Sequence, residues 1–519
     1  MPSYDAIIIG GGTNGLACAG RLASAGQKVL LLEGRDRLGG GAAGGTGWDG
    51  YRMPALAHLL THLDRRVVDK MRLEDHGLRF VTGNLPTTAL DPGGNHLTLS
   101  GAAGAKLLGN IAEADKAAWS ALRARLMAFA AALAPFREMT PPRIAKGAGN
   151  PYMKLGQIAL GLRRLGREEF REFLRMALIN VADVMEDDLT DDRLRGTIAF
   201  DTVLGAWLGP RSPNSLFLYL NRLAGAAAGQ QGALALPAGG MDAVAAAMEK
   251  SAIASGVTIR RDAVVAKVVI EGDRATGVEL AGGETLSAAT VISAINPKTT
   301  FQTLIGPRHL DTGFMNRVAD LRSRGGAAKL HLALKGTPDF RGADLQSRLV
   351  IAPSIGAVEN AFNAVKYGEV PDTPVMEILL PSAMEGGHAP EGHHLLSAVV
   401  QFAPHAPKAG ANVARKAMLA NTLAVLETSA PGIGKQIVHS ELLMPYDIEA
   451  RYGMAGGNWH HGELAVEQML FLRPFPAVSQ YSTPISGFWL AGAGNHPGGG
   501  ISGAAGWNAA ERILTGAQP

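Results

Sequence analysis

Tyr4-Asp-Ala-Ile-Ile-Ile-Gly-Gly-Gly-Thr-Asn-Gly15 runs from an apolar strand into a glycine-rich turn, and Lys28-Val-Leu-Leu-Leu-Glu33 brings the chain back in a second strand ending in an acid. Between them, Leu16 to Ala25 reads as a helix of small residues, and Gly26 turns the chain. A GxGxxG placed between a strand and a helix, with a carboxylate about 20 residues on, is the fingerprint of a dinucleotide-binding βαβ unit. Gly10 suits the tight turn out of the strand, Gly12 lets the backbone approach a pyrophosphate, and Gly15 lets the helix pack near the sheet. Thr13 and Asn14 belong to the same set, at a helix N-terminus whose free N–H groups and partial positive charge favour a phosphate. Glu33 is expected to accept hydrogen bonds from ribose hydroxyls, and an acid there disfavours a 2′-phosphate.

The motif continues past Glu33. Gly34-Arg35-Asp-Arg37-Leu-Gly39-Gly40-Gly41-Ala42 adds a basic stretch and a glycine run whose N–H groups can cradle phosphate. Arg35 and Arg37 either neutralise phosphate charge or form a solvated basic turn. A second strand–loop–helix unit closes the chain, in Phe488-Trp-Leu-Ala-Gly-Ala-Gly494-Asn-His496-Pro-Gly-Gly499-Gly500-Ile501-Ser-Gly503 and the helix ending near Leu514. No second strand–GxGxxG–helix unit follows the first, which argues against a tightly bound NAD(P).

Between these ends, residues from about 104 to 229 read as helix-rich, with loops at Thr140-Pro-Pro and Gly147–Pro151. Leu236-Pro-Ala-Gly-Gly-Met241 opens a helix to about Ser255. Strands follow at Val265 to Glu271 and Ala275 to Leu280 around a Gly272-Asp-Arg turn, ending in Ser293-Ala-Ile-Asn-Pro297. From about Lys298 to Phe475 short strands mix with helices.

The chain has 519 residues, 47% hydrophobic and 18% charged, enough to bury a large core. Its 49 basic and 46 acidic residues leave a net charge of +3, which gives no footprint for nucleic acid. The single cysteine, Cys18, excludes an intramolecular disulfide and a CxxC redox pair. No signal peptide fits before the strand at residue 4, and no run of about 20 uncharged apolar residues is present. A reducing, cytoplasmic setting is expected.

With these blocks in place, the chain resembles the phytoene-desaturase-like FAD-dependent oxidoreductases over nearly its whole length. It is most similar to the branch called pyridine nucleotide-disulfide oxidoreductase domain-containing protein 2. Pro445-Tyr-Asp-Ile-Glu-Ala-Arg-Tyr-Gly453, Gly456-Gly-Asn-Trp-His-His461-Gly-Glu463 and Arg473-Pro474 strengthen that resemblance. It implies an α/β fold with a Rossmann-like FAD-binding domain of the two-dinucleotide-motif type, interleaved with a sheet-based substrate domain and a helical cap. The FAD domain is expected from residues 1–75, 230–300 and 476–519. The substrate domain is expected from 76–103 and 301–475, and the cap from 104–229. The resemblance further implies Glu33 on the ribose, Val265 beside the adenine, and the flavin ring near Gly494, Gly499, Gly500 and Ile501. In many relatives Arg follows the glycine pair; here Gly41 stands there.

For the chemistry, His461, Glu463 and His496 are the candidate proton-transfer residues, set against roles in packing or cofactor contact. His393-His394 and His460-His461 are adjacent pairs without metal-ligand spacing, so no metal is expected. The expected reaction is hydride removal from an apolar or amphipathic small molecule, giving a desaturated product, with electrons passing from FAD to oxygen, a quinone or another acceptor. Amine oxidation and redox-neutral isomerisation are the enzymatic alternatives. A non-catalytic binding protein resembling the GDP-dissociation inhibitors is the alternative from another class. Met153 to Met176 interleaves apolar and basic residues, which suits either a cap helix or a helix lying on an anionic bilayer.

Overall fold

The structure is a computed structural model that describes residues 4–142, 156 and 159–516. The strand Tyr4–Ile9 sits in the middle of a seven-stranded sheet, between Val29–Leu32 and Thr285–Ser293, both parallel to it. Thr258–Arg260 extends the parallel side, and Phe488–Leu490 pairs in parallel with Thr285–Ser293. Arg274–Leu280 and Val265–Glu271 add an antiparallel hairpin. Alternation along the first two strands decides which core each residue joins. Ala6, Ile8, Val29 and Leu31 pack on one face with Leu16 and Leu22 of the helix Thr13–Ser24, while Ile7, Ile9, Leu30 and Leu32 pack on the other with Val278 and Phe301. The closing helix Ala504–Leu514 lies against Thr13–Ser24, so close that a Cβ at Gly506 would sit 1.8 Å from the Asn14 carbonyl oxygen.

A second sheet of eight strands, the mixed sheet, is antiparallel except where Arg348–Ile351 runs parallel to Thr87–Ala89, and its order is Ile437–Leu443, Ala327–Lys335, His393–Gln401, Val375–Leu379, Arg348–Ile351, Thr87–Ala89, Leu97–Ser100 and Lys106–Leu108. Leu330, Leu332, Leu396, Ala398 and Val400 build an apolar core on one of its faces, with Met418 and Leu426 of the helix Ala411–Ser429. Lys329, Val399 and Glu377 are directly paired across three neighbouring strands and so share the opposite face.

Five described helices from Glu113 to Leu223 form a third region around Trp119, Phe129, Phe173 and Leu220. Glu113–Arg137 is long and apolar enough to cross a membrane by length and composition, and its Trp119, Leu122, Leu126 and Phe129 pack into this helical core. The expected loop at Gly147–Pro151 and the start of the expected basic helix lie outside the described residues. What is described of that helix is not continuous: Gly166, at φ +96°, breaks it, and it restarts as Arg167–Leu178. Phe173 and Met176 are buried there, while Leu174 and Leu178 stay exposed.

Candidate active site

One cavity of about 620 Å³ runs from the first glycine loop to the mixed sheet and the helical region. At its nucleotide end it is lined by Gly10, Gly12, Thr13 and Asn14, by Glu33 to Arg35, and by Gly39 to Gly41; Val265 stands beside them. The three fingerprint glycines behave differently. Gly10 adopts φ +101°, a left-handed conformation that a side chain resists. A Cβ at Gly15 would lie 1.9 Å from the Gly10 carbonyl oxygen, so its lack of a side chain is a packing need, and Gly15 does not line the cavity. At Gly12 the nearest atom to a Cβ is 4.0 Å away, which leaves open space where a phosphate approaches the backbone.

Glu33 holds this loop together. Its Oε2 accepts from the Gly11 N–H at 2.8 Å and its Oε1 from the Arg35 N–H at 3.0 Å. The Arg35 guanidinium lies 4.8 Å from the centre of the Tyr452 ring. Arg37 points elsewhere, donating to the Gly44 carbonyl at 2.7 Å. Ala42 is buried in the short turn Gly40–Ala42 and does not line the cavity. A side chain at Gly41 would meet Met454 at 3.7 Å, an ordinary contact.

Gly499, Gly500 and Ile501 line the same cavity, whereas Gly494 packs against Pro297, with a Cβ position 2.5 Å from that ring. His460 sits directly on this loop: a Cβ at Gly499 would lie 2.1 Å from His460 Nδ1. The Trp459 indole N–H donates to His460 Nε2 at 3.0 Å, which leaves the ring proton on Nδ1, and that atom is buried with no partner. Burial, with Arg473 nearby, pushes His460 down to about 3, so the ring is neutral. These residues fit a dinucleotide carrying a flavin. Open backbone N–H groups and Glu33 serve its phosphate and ribose end, and an unpaired N–H donor meets the glycine loop at the other.

The three expected proton-transfer residues do not come together. His461 lines the cavity, at φ +58°, with its buried Nδ1 unpartnered, and burial beside Arg473 lowers it to about 4. Glu463 is absent from the cavity wall among the described residues. Its carboxylate is ion-paired with Arg322 at 3.1 Å and Arg324 at 2.8 Å, and so ties two segments together. His496 lies behind the loop, its Nε2 2.7 Å from the Phe136 carbonyl and its ring edge-on to Phe136. No group of His, Cys, Asp and Glu among the described residues is arranged to hold a metal ion.

The structure adds a charged cluster that sequence reasoning passed over. His58, Glu377, Asp201 and Arg222 line the cavity at the end near the mixed sheet. The His58 Nε2–H donates to Glu377 Oε1 at 3.1 Å, so its Nδ1 accepts from Lys329 Nζ at 2.9 Å. Arg348 Nε donates to Glu377 Oε2 and Arg348 Nη2 to Asp201 Oδ1, both at 2.6 Å, and Arg222 pairs with the other Asp201 oxygen. Burial, only partly offset by Glu377, brings Lys329 down to about 7. Burial and the neighbouring Lys329 bring His58 to about 4. Burial alone raises the Glu377 carboxyl, but Arg348 and His58 outweigh it and hold it well below the usual carboxylate range. Each acid on this wall is therefore already neutralised by arginine.

Comparison with known proteins agrees with this arrangement. The family model described as flavin containing amine oxidoreductase matches residues 15–514. The rat (Rattus norvegicus) pyridine nucleotide-disulfide oxidoreductase domain-containing protein 2 is 30% identical over 99% of this chain and 94% of its own. The neurosporene-forming phytoene desaturase of Cereibacter sphaeroides is 29% identical over 61% of this chain and 59% of its own. Among solved structures, a putrescine oxidase triple mutant superposes with a TM-score of 0.62 at 16% identity, covering 99% of both chains, and so shares the fold.

Proposed function

This chain belongs to the flavin containing amine oxidoreductase family and is an FAD-dependent oxidoreductase, and on that premise we propose that it removes hydride from carbon in an apolar or amphipathic small molecule, leaving a carbon–carbon double bond. The observation that carries this reading is the pairing of Asp201 and Glu377. An amine substrate is a cation, and a pocket for it offers a free carboxylate or an aromatic cage. Here both acids are engaged by Arg348 and Arg222. Leu56, Leu59, Leu204, Leu218 and Leu464 add aliphatic surface to the same cavity. The phytoene desaturase among the relatives supports the same class of substrate.

Desaturation removes a hydride, that is one proton with two electrons, from one carbon and a proton from the adjoining carbon. Bound FAD supplies the hydride acceptor. The leaving proton needs a neutral base on the cavity wall; His461 is neutral and buried there with its Nδ1 unpartnered, whereas both ring nitrogens of His58 are engaged by Glu377 and Lys329. Behind His58, Lys329 titrates near neutrality and can hold a proton one hydrogen bond away from the chamber. Oxygen, a quinone or another acceptor then takes the electrons. Leu174 and Leu178, exposed beside Arg171, favour collecting such a substrate at an anionic bilayer, which vesicle co-sedimentation tests.

The deciding experiment is anaerobic mixing of the holoenzyme with lipid-like donors and with primary amines. Bleaching of the flavin absorbance by a lipid-like donor, with a product two hydrogens lighter, is the expected result. Bleaching by amines alone, with release of ammonia or an amine fragment, would overturn it.

A further inference from the structure

The cavity has a polar corner that neither the nucleotide end nor the His58 cluster uses. Arg137, the last residue of the helix Glu113–Arg137, is 8% exposed and lines the cavity. Its Nη1 donates to the Asn221 carbonyl at 3.0 Å and to the Asn221 Oδ1 at 2.6 Å. Its Nε is buried and has no partner. Among the described residues no carboxylate is within salt-bridge distance of this guanidinium: the nearby Asp64 spends both oxygens on Arg66. A buried cation ordinarily has an anion beside it, because desolvation is costly without one.

His62 stands next to Arg137 and also lines the cavity. Its Nδ1 accepts from the Ala226 N–H at 3.0 Å, so the neutral ring carries its proton on Nε2. That Nε2 is buried and unpartnered as well. Two neighbouring residues of this corner thus each carry a buried N–H donor without a protein partner, and one of them is a permanent cation. Leu218 and Asn221, from the helix Ser215–Leu223, line the wall beside them.

We propose that Arg137 and His62 form an anchoring subsite for the anionic oxygen of the substrate, and that the natural substrate is an amphipathic molecule ending in a carboxylate. A carboxylate accepts from both donors at once, supplies the charge that Arg137 lacks, and leaves its hydrocarbon chain along the leucines of the chamber. This rests on the reading of the cavity as a substrate chamber for a lipid-like molecule, and binding without turnover tests it separately from desaturation.

The experiment is calorimetric titration of oxidised holoenzyme with dodecanoate, its methyl ester, dodecan-1-ol and dodecylamine, with FAD content measured alongside. The expected result is that dodecanoate binds about tenfold or more tighter than the ester, the alcohol and the amine, the worth of a charged hydrogen bond. Arg137→Gln removes that preference while the alcohol binds as before and FAD stays at wild-type stoichiometry; His62→Phe weakens dodecanoate in the same direction. Equal binding of acid and ester by the wild-type protein overturns the proposal, and that comparison needs no variant to fold. Loss of FAD from Arg137→Gln with the alcohol still bound also overturns it, since the corner then serves the cofactor. If dodecanoate binds as expected but no donor bleaches the flavin, the subsite stands and the desaturation reading falls.

Discussion

Arg473 is fully buried and pairs with no carboxylate among the described residues; instead it donates to the carbonyls of His460, Gly462, Glu463, Gln468 and Ala493. It thereby binds the His460–Glu463 turn to the segment leading into the second glycine loop. Arg473→Met strands those acceptors, and the expected loss is roughly 3 kcal/mol of stability or more, read by urea unfolding. Glu463→Gln should behave differently. Its two arginine partners are partly exposed, so the variant is expected to melt slightly lower while turnover stays within a few-fold of wild type. A collapse of turnover with the fold intact would return Glu463 to the chemistry. Lys329 carries the pH dependence: with a value of about 7, its amine becomes neutral as pH rises through neutrality. The rate of anaerobic flavin bleaching is therefore expected to climb between about pH 6 and about pH 8, and Lys329→Met to flatten that rise. An unchanged profile would remove Lys329 from proton handling.

At the scale of elements, the glycine loops divide into parts that shape the protein and parts that receive a ligand. Gly15→Ala and Gly506→Ala each drive a methyl group into a neighbouring backbone oxygen, and both are expected to lower the melting temperature sharply. Gly12→Ala meets nothing of the protein, so it should fold normally and bind FAD poorly, which the absorbance spectrum of the purified variant reports. This contrast also explains what the sequence could show. The nucleotide loops are legible because turn, helix start and strand-end acid lie within 30 residues of one another, in a fixed local order. The His58–Lys329–Glu377–Arg348–Asp201–Arg222 cluster is not. Its members lie far apart in the chain and meet only when the mixed sheet and the helical region pack together. Its one local trace was a charge in an apolar strand: Lys329 in Ala327–Lys335, and Glu377 in Val375–Leu379. His496 misled for the opposite reason. Its place in the glycine loop suggested contact with ligand, but a backbone carbonyl from the distant residue Phe136 holds the ring away.

The molecule as a whole keeps several histidines buried and neutral. Burial lowers His62, His460 and His496 to about 3 and His58 and His461 to about 4. In the unfolded chain each takes up a proton near pH 6.5. Between these limits the unfolded state binds more protons, so stability falls as pH drops from about 6.5 toward about 4, by roughly 1 kcal/mol per histidine per pH unit. Lys329 acts in the same direction over a higher window, between about 7 and the ordinary lysine value. Melting temperature is expected to rise steeply with pH from about 5 to about 7, and replacing His496 with Gln should make that rise shallower. A flat profile would mean that the rings are charged in the folded protein.

The strand Phe488–Leu490 pairs with Thr285–Ser293, and the helix Ala504–Leu514 packs on Thr13–Ser24, so the sheet begun at residue 4 is finished only within the last 32 residues of the chain, from 488 to 519. On the ribosome, at roughly 10 residues per second, the first strand waits most of a minute for these partners. Through that interval the nascent protein has a partly uncovered sheet and an unclosed cofactor bed, exposed surfaces on which aggregation competes with completion of the fold.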